Sequence, residues 1–152
     1  MSDRVHGPAH PSVAMSHNNI GDLLGQMGRK EEAVVELRKA LEIRLKVCGE
    51  GHIHVGNTHN CLGAALERLD RNFEAHVHFN KALEIRSKLF GSDHPLVAET
   101  QFNLAQVLRN MGKSKDARTL YTEAAAKYRN AFGPHHPHTK LAEEHCRLFG
   151  KD

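Results

Sequence analysis

The sequence predicts an all-α fold, a right-handed superhelical solenoid of helix–turn–helix units with seven helices: three full repeats and a C-terminal capping helix. Three observations predict it. His10, His52, His94 and His136 stand 42 residues apart, and three of the four are followed by proline (Pro11, Pro95, Pro137). The segment Lys39-Ala40-Leu41-Glu42-Ile43-Arg44 returns unchanged at Lys81 to Arg86. Aromatic residues make up only 5% of the chain, with no Trp, which suits helices packed on Leu and Ala better than a β-sandwich. Self-similarity at a fixed period of this length marks a repeat array.

The elements follow in order. Residues 1–9 are polar and contain Gly and Pro, and they read as a flexible tail. Residues 10–152 read as one domain, with repeats at 10–51, 52–93 and 94–135 and a capping helix in 136–149. Helix A of each repeat opens at the His-Pro step, where proline fits the first helical position because its missing N–H has no partner there. It runs to Gly28, Asp70 or Gly112. After a short turn, helix B continues to Gly49, Gly91 or Gly133, where glycine is expected to take the left-handed stop conformation.

Within the units the matches are in phase: Ile20/Leu62/Leu104, Leu24/Leu66/Leu108, Ala33/Ala75/Ala117, Leu37/Phe79/Tyr121 and Ala40/Ala82/Ala124. In helix B of the first unit, Ala33, Leu37, Ala40 and Leu41 form one buried stripe. Gly21, Gly63 and Ala105 are small enough to let helices A and B approach closely. All five prolines, Pro8, Pro11, Pro95, Pro134 and Pro137, fall outside the helix interiors. Over 137–149 the pattern turns Leu141, Cys146 and Phe149 inward and Arg147, Lys151 and Asp152 outward. Arg147 takes the place of the small residue, so no helix B is expected to pack on it.

Composition narrows the function classes. The 152 residues are 39% hydrophobic and 26% charged, a globular balance. The net charge of +3, with the basic excess in residues 109–152, lacks the dense basic stripe of a nucleic-acid binder. No apolar run reaches the ~18–20 residues of a membrane span, and Met1 to Pro8 carry no signal-peptide core. Cys48, Cys61 and Cys146 are odd in number and never spaced as CxxC, which fits reduced thiols in the cytoplasm.

No catalytic constellation emerges, so no enzyme activity is expected. Cys146 and His145 are helix neighbours pointing about 100° apart, which cannot make a nucleophile–base pair. Gly21, Gly25 and Gly28 lie inside a helix pattern and form no phosphate loop. The 13 histidines suggest metal, but His76 and His78 point in different directions on a helix. His135, His136 and His138 are the best ligands if a metal binds at all. The expectation is no metal and no cofactor.

The pattern Leu-Gly/Ala-x-x-Leu, then Gly, then Ala-x-x-x-(Leu/Phe/Tyr)-x-x-Ala resembles the tetratricopeptide repeat (TPR). The 42-residue period, the His-Pro start, Asn18-Asn19-Ile20-Gly21 and Lys-Ala-Leu-Glu-Ile-Arg are similar to the kinesin light chain subtype. The ordinary period is 34 residues with a proline late in helix B, where this chain has Leu45, Ser87 and Arg129. The resemblance implies a concave groove of A helices holding an extended peptide. By repeat position its side chains are Met15, Asn18, Asn19, Asp22 and Gln26, then Asn57, Asn60, Cys61, Glu67 and Arg68. The third unit adds Glu99, Phe102, Asn103, Gln106, Arg109 and Asn110. Amides suit such a role because each both donates to and accepts from a peptide backbone.

The resemblance therefore implies a protein-binding scaffold with a protein or peptide partner and a cytoplasmic, cytoskeleton-associated setting. The alternative is self-association through the uncapped first helix. The basic carboxylate clamp of chaperone-tail TPRs is missing: Asn18, Asp22 and Glu99 stand where lysine, asparagine and lysine are needed. No heptad segment of the kind a complete kinesin light chain carries is present.

Overall fold

The computed structural model describes residues 11–149, which form seven α-helices and, among the described residues, no strand. The helices are α1 (Pro11–Gln26), α2 (Lys30–Cys48), α3 (Ile53–Arg68), α4 (Asn72–Phe90), α5 (Pro95–Asn110), α6 (Ser114–Phe132) and α7 (Pro137–Phe149). The expected tail at 1–9, the first histidine His10, and Lys151 and Asp152 lie outside the described residues. The chain divides into two compact units, residues 1–85 and 86–152, and the division falls inside α4.

The turn from helix A to helix B is the same three times. Gly28, Asp70 and Gly112 adopt positive φ of 81°, 59° and 80°. The following N–H closes back on the helix: Arg29 to the Leu24 carbonyl, Arg71 to Leu66, and Lys113 to Leu108, at 2.9, 2.9 and 2.8 Å. With the inner bonds Gly28 to Gly25, Asp70 to Glu67 and Gly112 to Arg109, each turn is a Schellman motif that satisfies carbonyls the helix end would orphan. The end of helix B is different. Gly49 and Gly133 have positive φ, but with ψ of 165° and 170° they are extended and not in the left-handed helical stop that was expected. Glycine is still required there, because positive φ with extended ψ is open to little else.

The periodic histidine has a structural task. His52, His94 and His136 precede the A helices, and the imidazole Nδ1 of each accepts the N–H two residues on, from His54, Leu96 and His138, at 3.1, 3.0 and 3.1 Å. The ring thus does the work of an N-cap serine or aspartate. Two of these rings also stack on the last aromatic of the preceding helix, Phe90 on His94 and Phe132 on His136, with centroids 4.5 and 4.4 Å apart.

Helices A and B approach as closely as the small residues allow. A methyl group added to Gly21 would lie 2.8 Å from Cγ of Leu37, and one added to Gly63 would lie 2.8 Å from the Phe79 ring. Ala33, Leu37 and Ala40 of α2 are buried as the stripe predicts, while Leu41 is half-buried, and Phe79 and Ala82 of α4 and Tyr121 and Ala124 of α6 occupy the same register. The capping helix departs from expectation at one position. Leu141 is 44% exposed, and α7 buries Thr139 and Ala142 instead, with Cys146 and Phe149 half-buried. Ala142 faces Ala98, Ala124, Ala125 and Tyr128 in the core of the second unit, and Leu141, one residue before it, lies about 100° around the helix from that face.

Helix B is tied to the next helix A by the arginine that ends the recurring hexapeptide. Arg44 donates to Thr58 Oγ1 at 2.7 Å and to the His54 carbonyl at 3.2 Å. Arg86 repeats this with Thr100 Oγ1 at 2.8 Å and the Leu96 carbonyl at 3.1 Å. Both arginines are buried, which explains why the hexapeptide is kept to its last residue. The third unit has Tyr128 in this place, stacked on His138 at 5.4 Å.

Candidate functional site

In the first unit the A-helix faces of α1 and α3 lie side by side. Met15, Asn19, Asp22 and Gln26 recur at helical spacing on one face of α1, and all four are exposed. Asn18 is half-buried and committed: its Oδ1 accepts from Thr58 at 3.2 Å and from Arg44 at 3.5 Å, and its Nδ2 donates to Asp22 at 3.4 Å. Burial pushes the Asp22 carboxyl up, while a hydrogen bond with Cys61 and the charge of Arg68 pull the other way. Arg68 is exposed, and its Nη1 would lie 3.3 Å from a methyl group added to Gly25. Gly25 therefore gives the guanidinium room across α1. Lys30 Nζ donates to the Arg68 carbonyl at 3.3 Å and fixes the end of α3. Asn57 and Glu67 are half-buried, and Asn60 is buried. The seam is thus polar, with one carboxylate and one guanidinium facing solvent.

In the second unit the corresponding seam, between α5 and α7, is aromatic. Phe102 meets Tyr121 edge-on at 5.4 Å and His145 at 4.8 Å. The guanidinium of Arg109 sits 3.9 Å above the Phe149 ring, and its buried Nε makes no hydrogen bond. Glu99 pairs with Arg86 at 2.9 Å. Asn103 and Gln106 are half-buried, and Asn110 is exposed. Phe102, Glu99 and Arg109 therefore serve packing and ion pairing within the unit, while Asn103, Gln106 and Asn110 remain at the A-helix surface.

Most of the described histidines make contacts within the protein. His17 bonds Glu36 at 2.6 Å, which holds the Glu36 carboxyl below its ordinary value. In the same register His59 and His78 share an Nδ1–Nδ1 hydrogen bond of 2.9 Å, and burial lowers both to a pKa of about 4. The third unit has Gln101 there, donating to Glu123 at 3.0 Å and accepting from Lys127 at 2.6 Å. His135 is exposed, His136 caps α7 and His138 stacks on Tyr128, so these three do not converge. Among the described residues no group of three or more His, Cys, Asp or Glu side chains is placed to hold a metal ion. Burial raises the Cys146 thiol, which favours the unreactive protonated form.

Sequence reasoning missed the Arg44–Thr58–Asn18 and Arg86–Thr100 networks and the His59–His78 pair. The exact return of the hexapeptide signalled the arginines. Nothing in the spacing of His59 and His78 signalled their contact, since it depends on which faces α3 and α4 turn to each other.

Tetratricopeptide repeat family models match residues 13–54 and 54–130. No curated protein matches the chain. Among solved structures, a Podosopora anserina protein named for kinesin light chain, with nearly identical TPR-like repeats, superimposes with a TM-score of 0.84. It is 22% identical over 92% of this chain and 66% of its own. BtubC (BKLC) from P. vanneervenii gives 0.72 at 17% identity, over 92% and 64%. The N-terminal domain of stress-induced protein-1 from C. elegans gives 0.67 at 15%, over 93% and 97%. The chain spans just under two thirds of the length of the first two of these structures. No helix of the described residues is long and apolar enough to cross a membrane. At these identities the likeness is one of fold, and it agrees with the seven helices, the helix–turn–helix pairs and the 42-residue phase. The chain belongs to the tetratricopeptide repeat family, and its repeats are similar in fold to those of kinesin light chain-like proteins.

Proposed function

We propose that this chain is a non-enzymatic protein-interaction scaffold that holds an extended segment of a partner protein along its A-helix faces. The observation that carries the reading is the polar seam of the first unit. There Asn19, Asp22 and Arg68 face solvent on two adjacent A helices, and Gly25 leaves room beside the guanidinium. Asn19 is suited to a peptide backbone, and Arg68 to an acidic side chain. Asp22 beside Arg68 tempers the preference, so selection falls on where the acid sits and not on bulk negative charge. In the second unit Asn103, Gln106 and Asn110 provide the same kind of amide surface. Asn18, Asn57, Asn60, Glu99, Phe102 and Arg109 support these faces from within. The kinesin light chain likeness suggests an adaptor in the cytoplasm, associated with the cytoskeleton, with protein and not nucleic acid as its partner.

The test is a titration of labelled acidic and neutral peptides against the wild type, Arg68→Ala and Asn19→Ala. Losing a hydrogen bond to a charged partner costs ~1.5–3 kcal/mol and to a neutral one ~0.5–1.5 kcal/mol. Arg68→Ala is expected to weaken acidic peptides about 10-fold or more and flatten their salt dependence. Asn19→Ala should weaken both classes by a few-fold. A peptide that the wild type holds and that neither variant affects would remove the reading.

A further inference from the structure

The second repeat departs from its neighbours at one register between helices A and B. In the first repeat His17 faces Glu36, and in the third Gln101 faces Glu123 and Lys127. In the second, the residue 42 positions after Glu36 is His78, and it faces His59. Two imidazoles stand where the first repeat has an imidazole and a carboxylate. Their Nδ1 atoms lie 2.9 Å apart.

The fold holds both nitrogens in place. One turn after His59, Gly63 of α3 meets Phe79 of α4, the residue after His78, with no room for a methyl group. That contact fixes the two helices at the height of the imidazoles. Burial keeps both rings neutral near pH 7, which is the form that binds metal. The pair opens onto a cavity of 270 Å³ that gives water and ions a way in. Its wall carries Glu50 and Glu84 against Lys81, and Arg38 near His78 is paired with Glu74 at 3.0 Å, so the local charge favours a cation.

We infer that His59 and His78 form a two-nitrogen site for a divalent first-row transition metal ion, with water from the cavity filling the remaining positions. Nitrogens 2.9 Å apart, each about 2.05 Å from a metal, subtend about 90° at it. That is the cis angle of tetragonal coordination, the geometry of Ni²⁺ and Cu²⁺ with nitrogen and oxygen ligands. Tetrahedral Zn²⁺ needs donors about 3.3 Å apart and fits less well. The ring that now donates moves its proton from Nδ1 to Nε2 by exchange with water, so both lone pairs face the metal and no net proton is released. The cavity is walled by α2 and α4, away from the exposed A-helix residues of the polar seam, and the inference does not rest on the peptide reading.

The probe is Ni²⁺ added to the full chain, free of any purification tag, near neutral pH. At about 1 mM it is expected to raise the melting temperature by at least about 3 °C. Zn²⁺ at the same concentration should raise it less, and a larger rise with Zn²⁺ overturns the tetragonal geometry. His59→Gln imports the residue of the third repeat. It and His78→Gln should each keep helical circular dichroism and lose the rise. His76→Gln, about 200° around α4 from His78, should retain it. Absence of any rise in the wild type overturns the inference. So does a rise that survives in both His59→Gln and His78→Gln, or one that is lost when His135, His136 and His138 are replaced by Gln, because the metal then sits elsewhere.

Discussion

Two seams between neighbouring A helices use overlapping repeat positions, Asn18 with Phe102 and Cys61 with His145, in opposite ways. In the first unit, between α1 and α3, the seam holds Asn18, Asp22, Cys61 and Arg68. In the second, between α5 and α7, it holds Phe102, Arg109, His145 and Phe149. One guanidinium faces solvent and the other lies over a ring. The difference teaches that the repeat fixes the backbone but leaves each exposed A-helix position open to either recognition or packing. α7 packs its inner face on α6, and the aromatic seam adds apolar contact between α7 and α5.

The sharpest way to break this comparison is to truncate one side chain in each seam. Phe102 is half-buried and touches Tyr121 and His145, so Phe102→Ala is expected to cost ~3 kcal/mol, the lower end for a large core truncation. Arg68→Ala, at an exposed position, should change stability by no more than ~0.5 kcal/mol while altering peptide binding. Chemical denaturation of the two variants decides the matter. Comparable losses would mean that the polar seam is also structural.

The sequence carried the fold to the level of single turns. The 42-residue phase located every described helix, and Gly21 and Gly63 marked where α1 and α3 approach α2 and α4 closely enough to exclude a methyl group. It carried less of the surface. Asn18 and Phe102 share the spacing of groove residues, yet one is drawn into the Arg44 network and the other into the aromatic seam. Spacing along one helix gives a face, but whether that face is occupied depends on the side chains a neighbouring helix presents. Leu141 shows the same limit. Its apolar character suggested burial, but Ala142 takes the face toward Ala124 and Tyr128, and Leu141 lies about 100° around the helix from it.

A second contrast lies in the register of His59 and Gln101. Both units have an imidazole cap, His52 and His94. The buried His59–His78 pair belongs to the first unit alone. Its folded pKa values of about 4 lie below the ordinary 6.5, so the unfolded chain binds more protons between those limits. The stability the neutral pair contributes is complete above about pH 6.5 and is lost as the pH falls toward about 4. Melting temperatures followed over this range should drop less steeply in His59→Gln, which imports the residue of the second unit. Identical slopes for the variant and the wild type would mean that the pair does not set the acid sensitivity.

The smallest expected effect lies in the turns between helices A and B. Gly28 and Gly112 hold their positive φ without a side chain, whereas Asp70 holds φ of 59° with one, alone among the described non-glycine residues. An L-residue in the left-handed region is strained by roughly 1–2 kcal/mol, less for aspartate, whose short polar side chain bonds locally. Asp70→Gly removes that strain but returns backbone freedom to the unfolded chain, an opposing term of ~0.4–1 kcal/mol. The net is a gain in stability below ~1 kcal/mol, read from the midpoint of a urea titration. Gly112→Asp should produce a loss of similar size, since the Lys113 to Leu108 bond of 2.8 Å demands the same backbone in the second unit. If Asp70→Gly instead destabilises the protein, the carboxylate holds the first unit's turn by a contact that glycine cannot replace, and the two turns are alike in backbone only.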